Sequence, residues 1–114
     1  MDEKIEKWLY DIKMSIDEID SFLINEPKNF LNYRKNIILK RAIERNLEII
    51  GEATRRILAR KPDVQLPNAR SIINLRNFIA HSYDSLSDAN IWAIVVNNLP
   101  ELKTDVDKLL KEFY

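Results

Sequence analysis

No cysteine occurs among the 114 residues, histidine and glycine occur once each, and 18 basic side chains cancel 18 acidic ones. Each scarcity excludes a class of function. Without cysteine there is no disulfide framework, no thiolate metal site and no cysteine nucleophile, a composition that suits a reducing cytoplasm. One histidine leaves only carboxylates to complete a metal site, so neither a metal nor a cofactor is expected. A single glycine, Gly51, rules out the Gly-rich phosphate loops of the P-loop and dinucleotide types, which need several for close backbone approach. Nucleotide chemistry, if any, must use side chains or helix ends. No apolar run approaches the roughly 20 residues that span a bilayer. The opening MDEKIEKWLY is acidic and amphipathic, unlike the basic-then-apolar start of a secretory leader. A soluble cytoplasmic protein with no membrane partner is therefore expected.

What is present is a core-forming composition. With 46% hydrophobic and 32% charged residues, the length suits one domain, residues 1–114, around one core. Four amphipathic segments follow one another with no strand-like alternation. In the first, Ile5, Trp8, Leu9, Ile12, Ile16, Ile19, Phe22 and Leu23 recur at steps of three and four, predicting a helix over 4–23 capped by Asp2. Asn25 to Asn29, which contains Pro27, interrupts the pattern. A second long helix is expected from about Leu31 to Arg60. Arg34, Arg41, Arg45, Glu48, Glu52, Arg55 and Arg56 form a mixed-sign polar stripe along it, the pattern of a solvated face laced with local pairs.

Lys61-Pro62-Asp63 ends that helix, and a third is expected from about Asn68 to His81. On it Ile72, Leu75, Phe78 and Ile79 form the apolar side, while Arg70, Asn74, Asn77 and His81 share another face at steps of four, three and four. Ser87 followed by Asp88 is the expected cap and first-turn acid of the last helix. Its pattern, from Trp92 to Phe113, runs straight through Pro100, so a kink or a meeting of two helices is predicted there. The architecture expected is an all-α, antiparallel four-helix bundle with a kinked last helix.

The zero net charge conceals segregation. Residues 1–26 hold 8 acidic and 3 basic side chains, residues 27–83 hold 4 and 12, and residues 84–114 hold 6 and 3. A basic middle of this kind attracts a polyanion, with Arg41, Arg45, Arg70 and Asn74 as candidate contacts to RNA. It equally suits oppositely charged helices packing on each other or on a second copy. A pI near 6.6 lacks the strongly basic footprint usual for nucleic-acid binding.

Asn74-Leu75-Arg76-Asn77-Phe78-Ile79-Ala80-His81-Ser82-Tyr83 concentrates the chemistry of the chain. A histidine with an ordinary pKa near 6.5 can exchange a proton near neutral pH, and a guanidinium can clamp a phosphate with two hydrogen bonds. Two readings fit these residues by themselves: a catalytic pair, or a helix-end histidine that caps carbonyls beside an arginine paired with Glu48 or Glu52. On an ideal helix Arg76 and His81 point about 140° apart, since five steps of 100° make 500°. A loosened helix, a wrapped arginine or a cleft shared by two chains would bring them together.

This Arg-x4-His-x-Tyr pattern, with Asn77 directly after the arginine, resembles the HEPN superfamily and specifically its HepT-like branch, the toxin half of MntA–HepT-type toxin–antitoxin pairs. Glu48-Ile49-Ile50-Gly51-Glu52-Ala53 resembles the second-helix signature of that branch. Ile91-Trp92-Ala93-Ile94-Val95 and Asn98-Leu99-Pro100-Glu101-Leu102 are similar to its last helix. The resemblance spans nearly the whole chain. It implies a helical bundle, a homodimer whose motif helices meet at a shared cleft, and metal-independent cleavage of RNA, the activity of a type VII toxin. His81 is then the general base or acid, Arg76 the electrostatic clamp, and Asn77 the residue that orients the imidazole or the substrate. Tyr83 resembles the acceptor onto which an MntA-like nucleotidyltransferase antitoxin transfers AMP, silencing the nuclease. Added phosphates there would repel RNA and fill the cleft. An ordinary turn aromatic is the plain alternative for Tyr83. For the chain as a whole, the other readings are a non-catalytic HEPN module that binds a nucleotide or a nucleotidyltransferase, and a purely structural bundle.

Overall fold

The computed structural model describes residues 2–25, 29–74 and 85–112. Helix α1 spans Glu3–Leu23 and begins where Asp2 accepts a hydrogen bond from the Lys4 backbone N–H, as the capping pattern predicts. Its apolar stripe is sequestered: Ile5, Leu9, Ile12, Ile16 and Ile19 are all buried.

The single long helix expected over 31–60 is in fact two, α2 over Phe30–Lys35 and α3 over Ile37–Arg60. Asn36 makes the break. Its backbone lies at φ −91°, ψ 93°, outside helical geometry, and its side chain accepts from Leu39 N, so it caps the new helix. Asn29 caps α2 in the same way through Asn32 N. Arg34 therefore belongs to α2 and leaves the polar stripe of α3. Within α3 that stripe is laced as expected, with Glu52 accepting from both Arg55 and Arg56.

Residues 69–74 are helical and form α4. Helix α5 covers Ser85–Ala93 and α6 covers Leu99–Lys111. The start of α5 at Ser85 corrects the expected cap, since Ser87 lies inside the helix, while Asp88 stands in the first turn as expected and also forms a tertiary ion pair with Lys40. Between α5 and α6 the backbone widens into a π-helical turn over Ile94–Asn98, where Leu99 N–H reaches back five residues to Ile94 O. Pro100 explains the turn, because it lacks an N–H and its ring crowds the carbonyl four residues earlier. The disruption predicted at the proline is thus displaced into the preceding turn.

Side-chain polar contacts fix the directions. Asp2 meets Arg60, and Asn46 donates to Glu18 at 3.4 Å, so α1 and α3 run antiparallel. Lys13 pairs with Asp107 at 3.0 Å and Asp17 with Lys103 at 3.1 Å, so α1 and α6 are antiparallel as well. One cluster of buried side chains joins these helices, running from Ile16 through Ile43, Leu47 and Ile50 to Leu102 and Val106. The described chain is all-α, and no strand occurs among the described residues. No helix among them is long and apolar enough to cross a membrane.

Candidate functional site

Arg76, Asn77, His81 and Tyr83 lie outside the described residues. What the structure does describe is the contacts made by the residues that precede and follow them in the chain. On the N-terminal side, Asn98 Nδ2 donates to Asn68 Oδ1 at 2.9 Å, tying the entry of α4 to the π turn. Ala69 and Ile72 are buried, which leaves Arg70 and Asn74, one turn apart, exposed on the outer face.

On the C-terminal side, α5 takes part in a small polar and aromatic cluster. Lys40 Nζ lies 3.0 Å from the Asp88 carboxylate, joining the start of α3 to α5. One turn further along α5, Trp92 stacks on Tyr33 of α2 with ring centroids 5.2 Å apart and planes 28° from parallel. The Tyr33 ring is fully buried, and its hydroxyl has no hydrogen-bond partner among the described residues. Burial, reinforced by the charges of Glu44 and Asp88, pushes the Tyr33 phenol well above its ordinary pKa, so it stays protonated. Burial also raises the Glu44 carboxyl, against the opposing pull of Arg41 and Lys40.

Of the basic candidates on α3, Arg41 and Arg45 are both exposed. Each has an acid one turn away, Arg41 at 3.8 Å from Glu44 and Arg45 at 3.9 Å from Glu48, distances of loose pairing. Arg45 also lines an open groove of ≈ 340 Å³ between α1 and α3, floored in part by Trp8. In that groove Lys7, Arg45 and Arg56 face Asp11, Glu48 and Glu52, so its charges cancel and it has no electrostatic preference for phosphate. Arg41 and Arg45 thus sit on α3, and Arg70 and Asn74 on α4. Sequence reasoning missed the Tyr33, Lys40, Glu44 and Asp88 cluster. Its members come from three helices, and only the pairing of Asn29 with Asn36 as successive caps signalled that Tyr33 sits on a helix of its own.

Described residues that form helices and no strand define the class. Within that class the chain belongs to the HepT-like ribonuclease family: the family model described as "Ribonuclease HepT-like" matches residues 12–109. It is 31% identical over 111 residues to "Putative RNase MJ1216" of Methanocaldococcus jannaschii, covering 95% of this chain and 88% of that one. "Putative RNase MJ1380" of the same organism is 32% identical over 106 residues, 90% and 94% of the two chains. "Putative RNase TTE0752" of Caldanaerobacter subterraneus subsp. tengcongensis is 32% identical over 95 residues, 80% and 84%. No solved structure matches the chain.

Proposed function

We propose that this chain is a metal-independent RNA endonuclease, the toxin of a type VII toxin–antitoxin pair, acting in the cytoplasm as a homodimer of one 1–114 domain. The observation that carries the reading is the Arg76-Asn77-x3-His81-x-Tyr83 sequence in a chain of the HepT-like ribonuclease family. In this reading a ribose 2′-hydroxyl attacks the adjacent phosphorus while His81 takes its proton. Arg76 stabilises the charge gathering on the phosphoryl oxygens, and Asn77 orients the imidazole or the substrate. The 5′-oxygen departs with a proton returned by the imidazolium, leaving a 2′,3′-cyclic phosphate and a 5′-hydroxyl. Arg70 and Asn74, exposed on the helical run leading into the motif, are supported as backbone contacts to RNA by their exposure and position, and Arg41 and Arg45 by exposure and charge.

Control falls to Tyr83. Its phenol oxygen attacks the α-phosphorus of ATP on an MntA-like nucleotidyltransferase, losing its proton as pyrophosphate departs. The negative charge then sits two residues from His81. The test is cleavage of an RNA panel by the purified, unmodified dimer. Activity is expected for wild type, and its loss is expected in Arg76→Ala, in His81→Ala and in the AMP-bearing form, with the last loss prevented by Tyr83→Phe. Full activity in His81→Ala would overturn the assignment.

A further inference from the structure

The corner where α2 meets α3 carries an unbalanced charge. Residues 27–43 include the cations Lys28, Arg34, Lys35, Lys40 and Arg41, and no acid. Lys40 is paired with Asp88, and Arg41 stands 3.8 Å from Glu44. Arg34 and Lys35 are exposed in the last turn of α2, and neither pairs with a described residue. Cations elsewhere on the helices do find acids: Lys7 meets Asp11, Lys13 meets Asp107, Lys103 meets Asp17, and Arg55 and Arg56 share Glu52.

The same corner is apolar. Leu31 lies three and four residues before Arg34 and Lys35 on their face of α2, and the break at Asn36 places Ile37 and Ile38 in the first turn of α3. These three aliphatic side chains are open to solvent, and Ile38, at 83%, is more exposed than any other large hydrophobic residue described. Exposed aliphatics rimmed by unmatched cations have the composition of a surface that meets protein. Single-stranded RNA is held by aromatic stacking platforms, whereas the exposed residues here are aliphatic and cationic. A bilayer interface takes a helix with a long apolar face, and α2 has six residues, with Tyr33 turned into the core.

We propose that this corner docks an acidic amphipathic helix of another protein, its apolar side chains on Leu31, Ile37 and Ile38 and its carboxylates on Arg34 and Lys35. Charge complementarity sets the sign of the occupant: two adjacent cations that the described chain leaves unmatched are satisfied by carboxylates flanking an apolar stripe. The fold sets its form. Among the described residues no sheet edge exists to which an extended peptide could add, and the exposed side chains of the corner are not the aromatic ones that line a proline-binding groove. A helix with anchors at steps of three and four is the mode that remains.

The test is fluorescence anisotropy with two synthetic helical peptides of roughly 18 residues, five turns. One carries leucine on one face and glutamate on the other, and the second has lysine in place of every glutamate. Wild type should bind the glutamate peptide at least about tenfold more tightly than the lysine peptide, with a preference that salt weakens. Arg34→Glu with Lys35→Glu should reverse the preference. Ile38→Asp puts an acid where the first turn of α3 tolerates one, and should weaken binding of the glutamate peptide by about tenfold with helix content unchanged. If the charge-reversed chain misfolds, Ile38→Asp decides by itself. No binding by wild type, equal binding of both peptides, or a folded Ile38→Asp chain that binds like wild type would overturn the proposal. So would an Ile38→Asp chain of half the wild-type mass, which places a second copy on the corner. Wild-type binding to phosphatidylserine vesicles or to a uridine oligonucleotide that Ile38→Asp abolishes would overturn it too, by placing a membrane or RNA there.

Discussion

Lys40 and Asp88, 48 residues apart, bring a charged nitrogen 3.0 Å from a carboxylate that is only 9% exposed. The two partners are not equivalent. The lysine side chain is 23% exposed and can swing its ammonium to water, whereas the aspartate has no such route. Lys40→Ala strands a buried carboxylate beside Glu44 and is predicted to cost about 2–4 kcal/mol, the scale for breaking a largely buried pair. Asp88→Ala should cost about half that, because the freed lysine rehydrates. Chemical denaturation of the two variants and of the double variant checks the order. Equal losses would contradict the asymmetry.

Tyr33 presents the opposite situation, a buried polar atom that no described residue satisfies. Its ring packs and stacks on Trp92, but its hydroxyl gains no partner among the described residues in return for leaving water. Tyr33→Phe should therefore leave stability unchanged or raise it by about 1 kcal/mol, whereas Tyr33→Ala should lose about 3–5 kcal/mol with the ring. A marked loss in Tyr33→Phe would show that the hydroxyl has a partner or a function.

Much of the helical architecture was legible from periodicity, but its interruptions were less so. Steps of three and four found α1 and α6, and Asp2 announced the start of α1. The break at Asn36 was hidden because apolar residues continue on both sides of it, and only the chain of caps from Asn29 to Asn36 marks two helices. Pro100 drew attention to the right place, yet the backbone absorbs the missing N–H one turn earlier. Lys40 and Asp88 could not be matched in advance, since nothing local relates residues on α3 and α5. As for the site, the motif is legible as a string of residue types, whereas the contacts at Asn68–Asn98 and Lys40–Asp88 emerge only from the fold.

Asn36 offers a direct test of the helix break. Its side chain satisfies the Leu39 N–H, so Asn36→Ala is predicted to cost about 1 kcal/mol, and Asn36→Asp to retain most of the stability. Thermal unfolding followed by circular dichroism measures both. A stabilised Asn36→Ala would mean that α2 and α3 prefer to fuse.

The raised Glu44 carboxyl gives a pH dependence with a definite sign. A carboxyl whose folded pKa lies above its unfolded value holds more protons when folded, so its contribution to stability falls as pH rises between the two values. The penalty is complete above the folded pKa and absent below the unfolded one. Glu44→Gln removes the charge. It should be equal to or more stable than wild type near pH 7, by less than about 1 kcal/mol because water still screens the group, and the advantage should vanish below about pH 4. An advantage that grows on acidification would reverse the account.

The central claim is that His81 serves a reaction whose nucleophile is the RNA's own 2′-hydroxyl. The most direct measurement compares an all-RNA oligonucleotide with one carrying 2′-deoxyribose at each cleaved position, in excess chelator, using wild type and His81→Ala with matched helix content and mass. The account predicts 2′,3′-cyclic phosphate ends from the all-RNA strand with wild type alone, and no cleavage at the deoxy positions. Cleavage at the deoxy positions, or unchanged cleavage by His81→Ala, would contradict it.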